Sequence, residues 1–253
     1  MKIQYASDLH LEFRENSRYI KEHPLQPSAD VLLLAGDIGY LNDDSYSTHP
    51  FWDWVSDHFG QTHIVVGNHE LYKYFDLGKM PDGLIGSIRN NIHIHYNNVI
   101  HLESTDIILS TLWAHINDED AYYTERGVSD FYRILYHDNA LTWNHFNEEH
   151  QKCFAFIKEM VAKSQAKNII VVTHHVPSFR LASSDFSGSP INGAFTVEME
   201  EYIKTSPISY WIYGHSHRNI DKQIGNTFCT SNQLGYISHN EHLTFNPEKV
   251  IEV

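Results

Sequence analysis

The sequence predicts an α/β fold built on strands that are buried on both faces. Six short apolar runs, rich in Val and Ile, end in Gly, Asp, Asn or His. They are KIQYAS (2–7), VLLLAG (31–36), HIVVG (63–67), IILSTLW (107–113), NIIVVTH (168–174) and SYWIYG (209–214). Continuous runs of this kind are typical of the strands in layered α/β folds.

Helical patterns lie between some of these runs. FWDWVSDHF (51–59) and DGLIGSIRN (82–90) predict short helices. Residues 140–165 predict a long amphipathic helix, because their apolar side chains recur at roughly helical spacing. Residues 219–239 alternate and carry a Gly-Asn turn signal, so hairpin strands are expected there.

We expect residues 1–253 to form a single domain with a loop and helical excursion at about 114–165. The length suits one large domain, or at most two small ones. Segment 114–139 is polar and aromatic without clear periodicity. It is predicted as a long loop that either borders a functional site or forms a surface insertion.

Charge limits the classes of partner. The chain has 18 basic and 32 acidic residues, a formal net charge of −14. Capture of nucleic acid or of an anionic membrane needs a basic face, so both are disfavoured. A small anionic substrate remains open if bound cations reverse the local field.

The cellular compartment is inferred from the N-terminal sequence and from the two cysteines. MKIQYASDLHLEF lacks a basic stretch followed by an apolar signal segment, and no run of eighteen apolar residues follows it. Cys153 and Cys229 lie far apart without metal-type spacing, so they do not indicate a disulfide framework. We therefore expect a cytoplasmic protein that does not contact membranes.

Polar side chains follow five of the buried runs. In open α/β sheets the loops at the carboxyl ends of the strands form the ligand crevice, so these side chains are expected at one edge. They are Asp8, His10, Asp37, Asn68, His174, His215 and His217. One strand-end histidine alone is more often a hydrogen-bonded loop residue, so the prediction depends on the ordered combination of all five ends.

The chemistry of this set indicates a metal centre. All seven donors are oxygen or imidazole, which suits Mn²⁺, Fe²⁺ or Zn²⁺ better than a thiolate site does. Seven ligands are too many for one tetrahedral ion, but they suit two ions that share a carboxylate. Asp37 is the natural bridge because its carboxylate has two oxygens. Two such ions can clamp a phosphoryl group and generate a hydroxide nucleophile.

The order of these motifs, SDLH, GD, GNHE, THH and GHSH, resembles the calcineurin-like metallophosphoesterase superfamily. The motifs run from residue 8 to 217, which is most of the chain. The resemblance implies a four-layer α/β/β/α sandwich with mixed β-sheets and a dinuclear centre between the two sheets.

The resemblance also implies a role for each motif residue. One ion would be held by Asp8, His10, Asp37 and His217, and the other by Asp37, Asn68, His174 and His215. His69 matches the family's non-ligand histidine beside the leaving-group oxygen. Many members have Asp where this chain has Glu70, so Glu70 either orients His69 or is a first-turn acid favoured by the helix dipole. Two Mn²⁺ ions are expected, with Fe²⁺/Fe³⁺ or Zn²⁺ as alternatives.

The implied reaction is hydrolysis of a small phosphodiester or monoester, nucleotides included, by a metal-activated hydroxide. Asn68 would help to stabilise the developing charge, and His69 would protonate the departing alkoxide. Arg133 is a candidate substrate contact, or alternatively an ion-pair partner of Asp130 or Glu125. His175 either contacts the substrate phosphate or only covers the site.

Two other functions compete with this prediction. A metal-dependent nuclease would need a basic groove, which the net charge does not provide in bulk. A non-catalytic scaffold of the same fold should have lost ligands, whereas this chain keeps all of them. His93 and His95 alternate in NIHIHY without an evident carboxylate partner, and we expect structural roles for both.

Overall fold

The structure is a computed structural model that describes residues 1–183 and 188–253. Two six-stranded sheets form its centre. The first comprises β1 (Lys2–Ala6), β2 (Val31–Leu34), β3 (Gln61–Val65), β5 (Gly83–Arg89), β6 (Ile92–Tyr96) and β15 (Val250–Glu252). The second comprises β7 (Asn98–Leu102), β8 (Thr105–Ser110), β11 (Asn168–Thr173), β12 (Tyr210–Tyr213), β13 (Lys222–Ile224) and β14 (Thr227–Ser231). A small third sheet contains β4 (Phe75–Asp76), β9 (Ile134–Tyr136) and β10 (Asn139–Ala140).

Both large sheets are mixed, as predicted. The first is ordered β15-β1-β2-β3-β6-β5, and its four inner strands are parallel while its edges are antiparallel. The second is ordered β13-β14-β12-β11-β8-β7 with the same arrangement. Parallel strands bring their carboxyl ends, and the loops that follow them, to one edge of each sheet.

Alternate residues of the inner strands pack between the two sheets. Ile3 and Tyr5 of β1 belong to the same buried cluster as Ile170 and Val172 of β11. Ala6, the next residue of β1, belongs to the other cluster, on the helix side. Because strand side chains alternate with a period of two, the continuous apolar runs are buried on both faces.

Helices cover the outer faces. They are α1 (Arg14–Glu22), α2 (Asp44–Thr48), α3 (Pro50–His58), α4 (Ala121–Gly127), α5 (Asp130–Arg133), α6 (Trp143–Lys163) and α7 (Glu200–Thr205). Helix α3 packs against β3 and β5, and α6 packs against β8. Leu34 and Val171 pack in one cluster with Trp52 of α3 and Phe146 of α6. The resulting α/β/β/α arrangement confirms the predicted four layers.

The helices predicted at 51–59 and 140–165 are present, and local capping explains where they begin. The His49 side chain accepts a hydrogen bond from the Phe51 amide at 3.2 Å, and Pro50 occupies the first position of α3. Thr142 caps α6 by accepting from the His145 amide.

The prediction of a short helix at 82–90 is wrong. These residues form β5, an edge strand that pairs antiparallel with β6. The register shifts between Leu84 and Gly86, and again between Ser87 and Arg89. Such bulges interrupt the alternation of a strand, so its apolar residues take on a spacing that resembles a short helix.

The long loop predicted at 114–139 contains regular structure. Helices α4 and α5 and strand β9 lie in it, anchored by the buried side chains of Ala121, Phe131 and Ile134. The two helices have seven and four residues, which is too short for a clear helical period.

The predicted C-terminal hairpin is confirmed. Strands β13 and β14 pair antiparallel, and Gly225 in the turn between them has a φ of +58°. In the described ranges, none of the helices combines the length and the apolar composition that crossing a bilayer requires.

Candidate metal centre

The strand ends bring the predicted ligands together. Asp8 and His10 follow β1, Asp37 follows β2 and Asn68 follows β3 in the first sheet. His174 follows β11, and His215 and His217 follow β12, in the second sheet. The chain leaves its strands in left-handed turns, with positive φ at five of these residues. They are Asp8, His10, Asp37, His215 and His217. Non-glycine residues held in this region often mark a functional site.

Glycine at position 36 permits the close approach of the two sheets. Gly36 has a φ of +88°, and a Cβ on it would lie 2.5 Å from the His174 Nδ1 atom. The turn after β2 therefore brings Asp37 against His174 only because residue 36 has no side chain.

One group of ligands contains Asp8, His10 and His217. The Nε2 atoms of His10 and His217 lie 3.0 Å apart, and Asp8 Oδ1 lies 3.4 Å from the latter. Asp37 Oδ2 lies 3.9 Å from His10 Nε2. Asp8 and His10 are fully buried, and the His217 side chain is 11% exposed.

The second group lies on the other side of Asp37. The Nε2 atom of His174 is 3.0 Å from Asn68 Oδ1, 3.1 Å from His215 Nδ1 and 3.3 Å from Asp37 Oδ1. All four side chains are buried. The Asp37 carboxylate thus turns one oxygen toward each group.

The hydrogen bonds on the outer side of the first group show which nitrogens face inward with lone pairs. His10 Nδ1 donates to Glu12 at 3.0 Å, and His217 Nδ1 donates to Glu241 at 2.6 Å. A carboxylate only accepts, so in the neutral form of each ring the hydrogen is on Nδ1 and the lone pair is on Nε2, and the two Nε2 atoms lie 3.0 Å apart. This pattern, a histidine ligand that donates its other N–H to a carboxylate, is typical of metal sites.

The same reasoning holds for the second group. His174 Nδ1 donates to the Ala35 carbonyl at 2.8 Å, and His215 Nε2 donates to the Ala194 carbonyl at 3.3 Å. In the neutral rings the other two nitrogens, His174 Nε2 and His215 Nδ1, therefore carry lone pairs, and they lie 3.1 Å apart. Oxygen and imidazole acceptors that converge without a donor between them fit a divalent cation such as Mn²⁺, Fe²⁺ or Zn²⁺.

The electrostatics also favour positive charge in both groups. Burial opposes protonation of His217, but Asp8 and Glu241 prevail and raise its pKa to about 10. Burial likewise opposes protonation of His174, and the charge of Asp37 raises its pKa to about 9. A cation at these nitrogens would take the place of such a proton and satisfy the same carboxylates.

Sequence reasoning missed Glu12 and Glu241. Burial disfavours the ionised form of Glu12, but hydrogen bonds from His10 and His69 lower its pKa to about 2. Glu12 lies two residues after His10 in SDLHLEF, so its position was a usable signal. Glu241 lies 24 residues beyond its partner in a polar C-terminal segment, where no pattern marks it.

His69 lies at the edge of both groups. Its side chain is 10% exposed, its Nδ1 atom is 2.8 Å from Glu12 Oε1, and its ring stacks on Tyr72. Burial opposes its protonation, but Asp37 and Glu12 raise its pKa above the usual value. Ligand atoms of His10, Asp37 and His69 also lie within 4.8 Å of one another, so His69 is close enough to act on a group held there.

Glu70 does not contact His69 through its carboxylate. The carboxylate accepts backbone N–H groups from Gly67 at 2.8 Å, Asp37 at 2.8 Å, Ile38 at 2.7 Å and Gly39 at 3.3 Å. Burial and the charge of Asp37 raise its pKa to about 7, against the effect of these backbone bonds. The residue thus fixes the two turns that carry Asp37 and Asn68.

A cavity of about 430 Å³ opens over the ligands. Arg133 lines it, with its guanidinium 5.2 Å from the centre of the Tyr72 ring. Within residues 1–183 and 188–253, Arg133 forms no ion pair with Asp130 or Glu125. Asp130 instead accepts hydrogen bonds from Asn68 and Tyr72.

His175 lies behind the ligands. It is fully buried, its ring is 4.3 Å from that of His215, and it packs against Trp113 and Phe146. Burial holds the pKa of His175 well below its usual value, so the ring is neutral. The structure does not bring His175 to the lining of the cavity.

The chain is similar to several known proteins. An uncharacterized protein, L509, of Acanthamoeba polyphaga mimivirus is 28% identical over 277 aligned positions, which cover 99% of this chain and 96% of that protein. The crystal structure of a phosphopantetheinyl hydrolase from Mycobacterium tuberculosis superimposes with a TM-score of 0.70 at 15% identity, over 100% of this chain and 95% of that one. A putative 5'-nucleotidase from Staphylococcus aureus superimposes with a TM-score of 0.48 at 16% identity, over 91% of this chain and 48% of that one.

The family match covers every predicted ligand. Residues 1–219 match the family described as calcineurin-like phosphoesterase, and this range begins before Asp8 and ends after His217. The fold, the order of the motifs and the two ligand groups agree with that match. The chain belongs to the calcineurin-like phosphoesterase family.

Proposed function

We propose that this protein is a dinuclear metal-dependent phosphoesterase that hydrolyses small phosphate esters. The observation that carries the proposal is the position of Asp37 between the two ligand groups. Its Oδ2 atom lies 3.9 Å from His10 Nε2, and its Oδ1 atom lies 3.3 Å from His174 Nε2. One carboxylate is therefore available to both ions.

Two sets of residues would hold the ions. The first is Asp8, His10, Asp37 and His217, and the second is Asp37, Asn68, His174 and His215. The ligands are oxygen and imidazole without cysteine, which suits Mn²⁺, Fe²⁺ or Zn²⁺, and Mn²⁺ is the proposed native ion. When bound, a pair of divalent cations supplies Lewis acidity and a water of lowered pKa.

His69 is the proposed general acid. A group that protonates a departing alkoxide needs a pKa close to the working pH and a position at the edge of the reacting site. Asp37 and Glu12 raise the pKa of His69 against the effect of burial. Asn68 is proposed to hold an ion and to help stabilise the charge that develops on the phosphoryl oxygens.

Arg133 is proposed to contact the substrate phosphate. Arg133 is exposed, lines the cavity and has no carboxylate partner in the described part of the chain, so its guanidinium is available for a bidentate contact. The other charged side chains in the described lining of the cavity include Asp130 and Glu241. A site with this charge favours an ester with a single phosphate over a nucleic acid.

The test combines metal analysis with turnover. The protein should bind Mn²⁺ and hydrolyse bis-p-nitrophenyl phosphate or p-nitrophenyl phosphate, and the ratio of the two rates measures the preference for diesters. Asp37→Ala should lose at least one ion and nearly all turnover, whereas the exposed Asp57→Ala should lose neither. Full metal content in Asp37→Ala would refute the shared carboxylate.

The remaining outcomes separate this function from its competitors. A protein without metal and without turnover of either ester would be a scaffold of the same fold. Cleavage of single- or double-stranded DNA in a gel assay, faster than cleavage of the small esters, would identify a nuclease and overturn the proposal.

A further inference from the structure

We propose that Glu12 is a positioning residue that fixes His10 and His69 together through a single carboxylate oxygen. Glu12 Oε1 lies 3.0 Å from His10 Nδ1 and 2.8 Å from His69 Nδ1. This inference rests on the proposed function, in which His10 holds an ion and His69 protonates the leaving group.

The carboxylate is held at a defined place. Glu12 follows β1 by six residues, in the turn that also carries His10, and its side chain is 6% exposed. The ring of His10 contacts that of His69 edge-on, with 4.5 Å between their centres. The two imidazoles therefore converge on Glu12 from the loops that follow β1 and β3 of the first sheet.

One acceptor with two donors determines where the ring hydrogens lie. An ionised carboxylate oxygen only accepts, so His10 and His69 must each carry a hydrogen on Nδ1. The Nε2 atoms of both rings then face the reacting site. For His10 this leaves a lone pair for an ion, and for His69 it leaves Nε2 as the atom that can carry the transferred proton.

No other carboxylate of the described chain performs this task for His69. Its ring stacks on Tyr72, its backbone N–H donates to Asp37 at 2.9 Å, and its Nε2 atom is 3.5 Å from the Tyr236 hydroxyl. The carboxylate of Glu70, the neighbour of His69 in sequence, accepts hydrogen bonds from backbone N–H groups instead. Glu12 thus has the orienting role that the family resemblance left open for Glu70.

The arrangement links the ion site to the proton donor. A shift of Glu12 moves a ligand and the general acid at the same time, because one oxygen holds both. Outer partners of metal-bound histidines are commonly worth about 10–100-fold in metal affinity or activity. A purely structural hydrogen bond would instead affect stability and leave the dependence on the leaving group unchanged.

The experiment compares Glu12→Gln with Glu15→Gln, the same change at an exposed position three residues later. Each Mn²⁺-loaded variant is assayed on a series of phosphate esters from p-nitrophenyl to alkyl leaving groups, and its metal content is measured. Glu12→Gln should lose about 10–100-fold in kcat on alkyl esters and much less on the p-nitrophenyl ester. Glu15→Gln should match the wild type.

A second readout needs neither turnover nor a variant. Long-range ¹H–¹⁵N spectra of the metal-free wild-type protein report which nitrogen of each neutral histidine carries the hydrogen. Both His10 and His69 should carry it on Nδ1. A hydrogen on Nε2 of either neutral ring would overturn the role of Glu12, whether or not the protein hydrolyses phosphate esters.

The outcomes distinguish the two proposals. No loss on any ester by Glu12→Gln would overturn the positioning role, and an equal loss on all esters would overturn its part that concerns His69. Either result would leave the phosphoesterase function intact. A wild-type protein without turnover would refute the function, and the spectra would still decide how Glu12 holds the two rings. Glu12→Asp, which keeps the charge on a shorter arm, should recover part of the rate on alkyl esters.

Discussion

The Asn68 amide donates from Nδ2 to the Asp130 carboxylate over 2.9 Å, and this bond turns its oxygen toward His174. The Tyr72 hydroxyl donates to the same Asp130 oxygen at 2.7 Å. Because an ionised carboxylate accepts and does not donate, an inverted amide would place two acceptors in contact. Asp130, at the start of α5, therefore determines that Asn68 offers an oxygen to the second ligand group.

Asp130→Asn should weaken metal binding at the second group. An asparagine at 130 offers a donor as well as an acceptor, so the Asn68 amide is free to turn its nitrogen toward His174. We expect Mn²⁺ affinity to fall about 10–100-fold. Titration of metal-free protein with Mn²⁺ measures this, with the exposed Asp118→Asn as control. Unchanged affinity would show that Asn68 is oriented by something else.

Arg133→Gln should raise the KM for phosphate esters about 10–100-fold, because a hydrogen bond between charged groups contributes about 1.5–3 kcal/mol. Arg126→Gln is the matched control, since both arginines lie over a tyrosine ring and are exposed, but only Arg133 lines the cavity. Steady-state kinetics measure the KM of both variants. Equal KM values for the two variants would exclude a phosphate contact by Arg133.

His69→Ala should keep both ions and lose most turnover on esters with poor leaving groups. General acids contribute about 10²–10⁴-fold, and the loss should shrink for p-nitrophenyl esters, whose leaving group needs little help from a proton. Elemental analysis and a comparison of alkyl with aryl esters measure the two effects. A variant that lacks an ion would instead identify His69 as a ligand.

The convergence of the proposed ligands was predictable because each lies within a few residues of the end of an apolar run. The parallel order of β1, β2 and β3, and of β11 and β12, converts that sequence position into proximity. The sequence pattern that marks each residue is therefore local, and the parallel order of the strands brings the marked residues together in space.

The residues around the ligands were not predictable in the same way. Glu241 and Asp130 meet His217 and Asn68 from segments 24 and 62 residues away, and each is one carboxylate among many. Glu70 has a role that depends on the backbone of the turn at 36–39, which a side-chain pattern does not reveal. The edge strand β5 was missed because its bulges disturb the alternation by which strands are recognised.

Glu70→Gln should destabilise the protein more than it slows the chemistry of His69. An amide in place of the carboxylate brings an NH₂ group against backbone donors of Gly67, Asp37 and Ile38, and leaves at least one of them without an acceptor. An unsatisfied buried donor costs about 1–3 kcal/mol. Urea unfolding of metal-free protein measures the loss, with Glu119→Gln as exposed control. A normal unfolding free energy with slow turnover would indicate instead that Glu70 orients His69.

A second group of histidines, remote from the ligands, should make stability depend on pH. His63 of β3 and His95 of β6 lie on adjacent parallel strands of the first sheet, and His63 Nδ1 is 3.0 Å from His95 Nε2. His95 Nδ1 contacts Asn98 of β7, so this pair joins the two sheets. Burial lowers the pKa of His63 to about 4, and burial with the charge of His63 lowers that of His95 to about 3.

Acid should therefore destabilise the wild-type protein more than it destabilises His95→Gln. The unfolded chain binds a proton at each histidine below its ordinary pKa of about 6.5, whereas the folded chain does not until about pH 4. Stability is thus retained above pH 6.5 and falls as the pH drops toward 4, by at most about 1.4 kcal/mol per pH unit for each histidine. Between pH 7 and 5.5, metal-free His95→Gln should lose about 1 kcal/mol less unfolding free energy than the wild type. The exposed His23→Gln should follow the wild type, and parallel pH profiles for all three proteins would contradict neutral, buried imidazoles between the sheets.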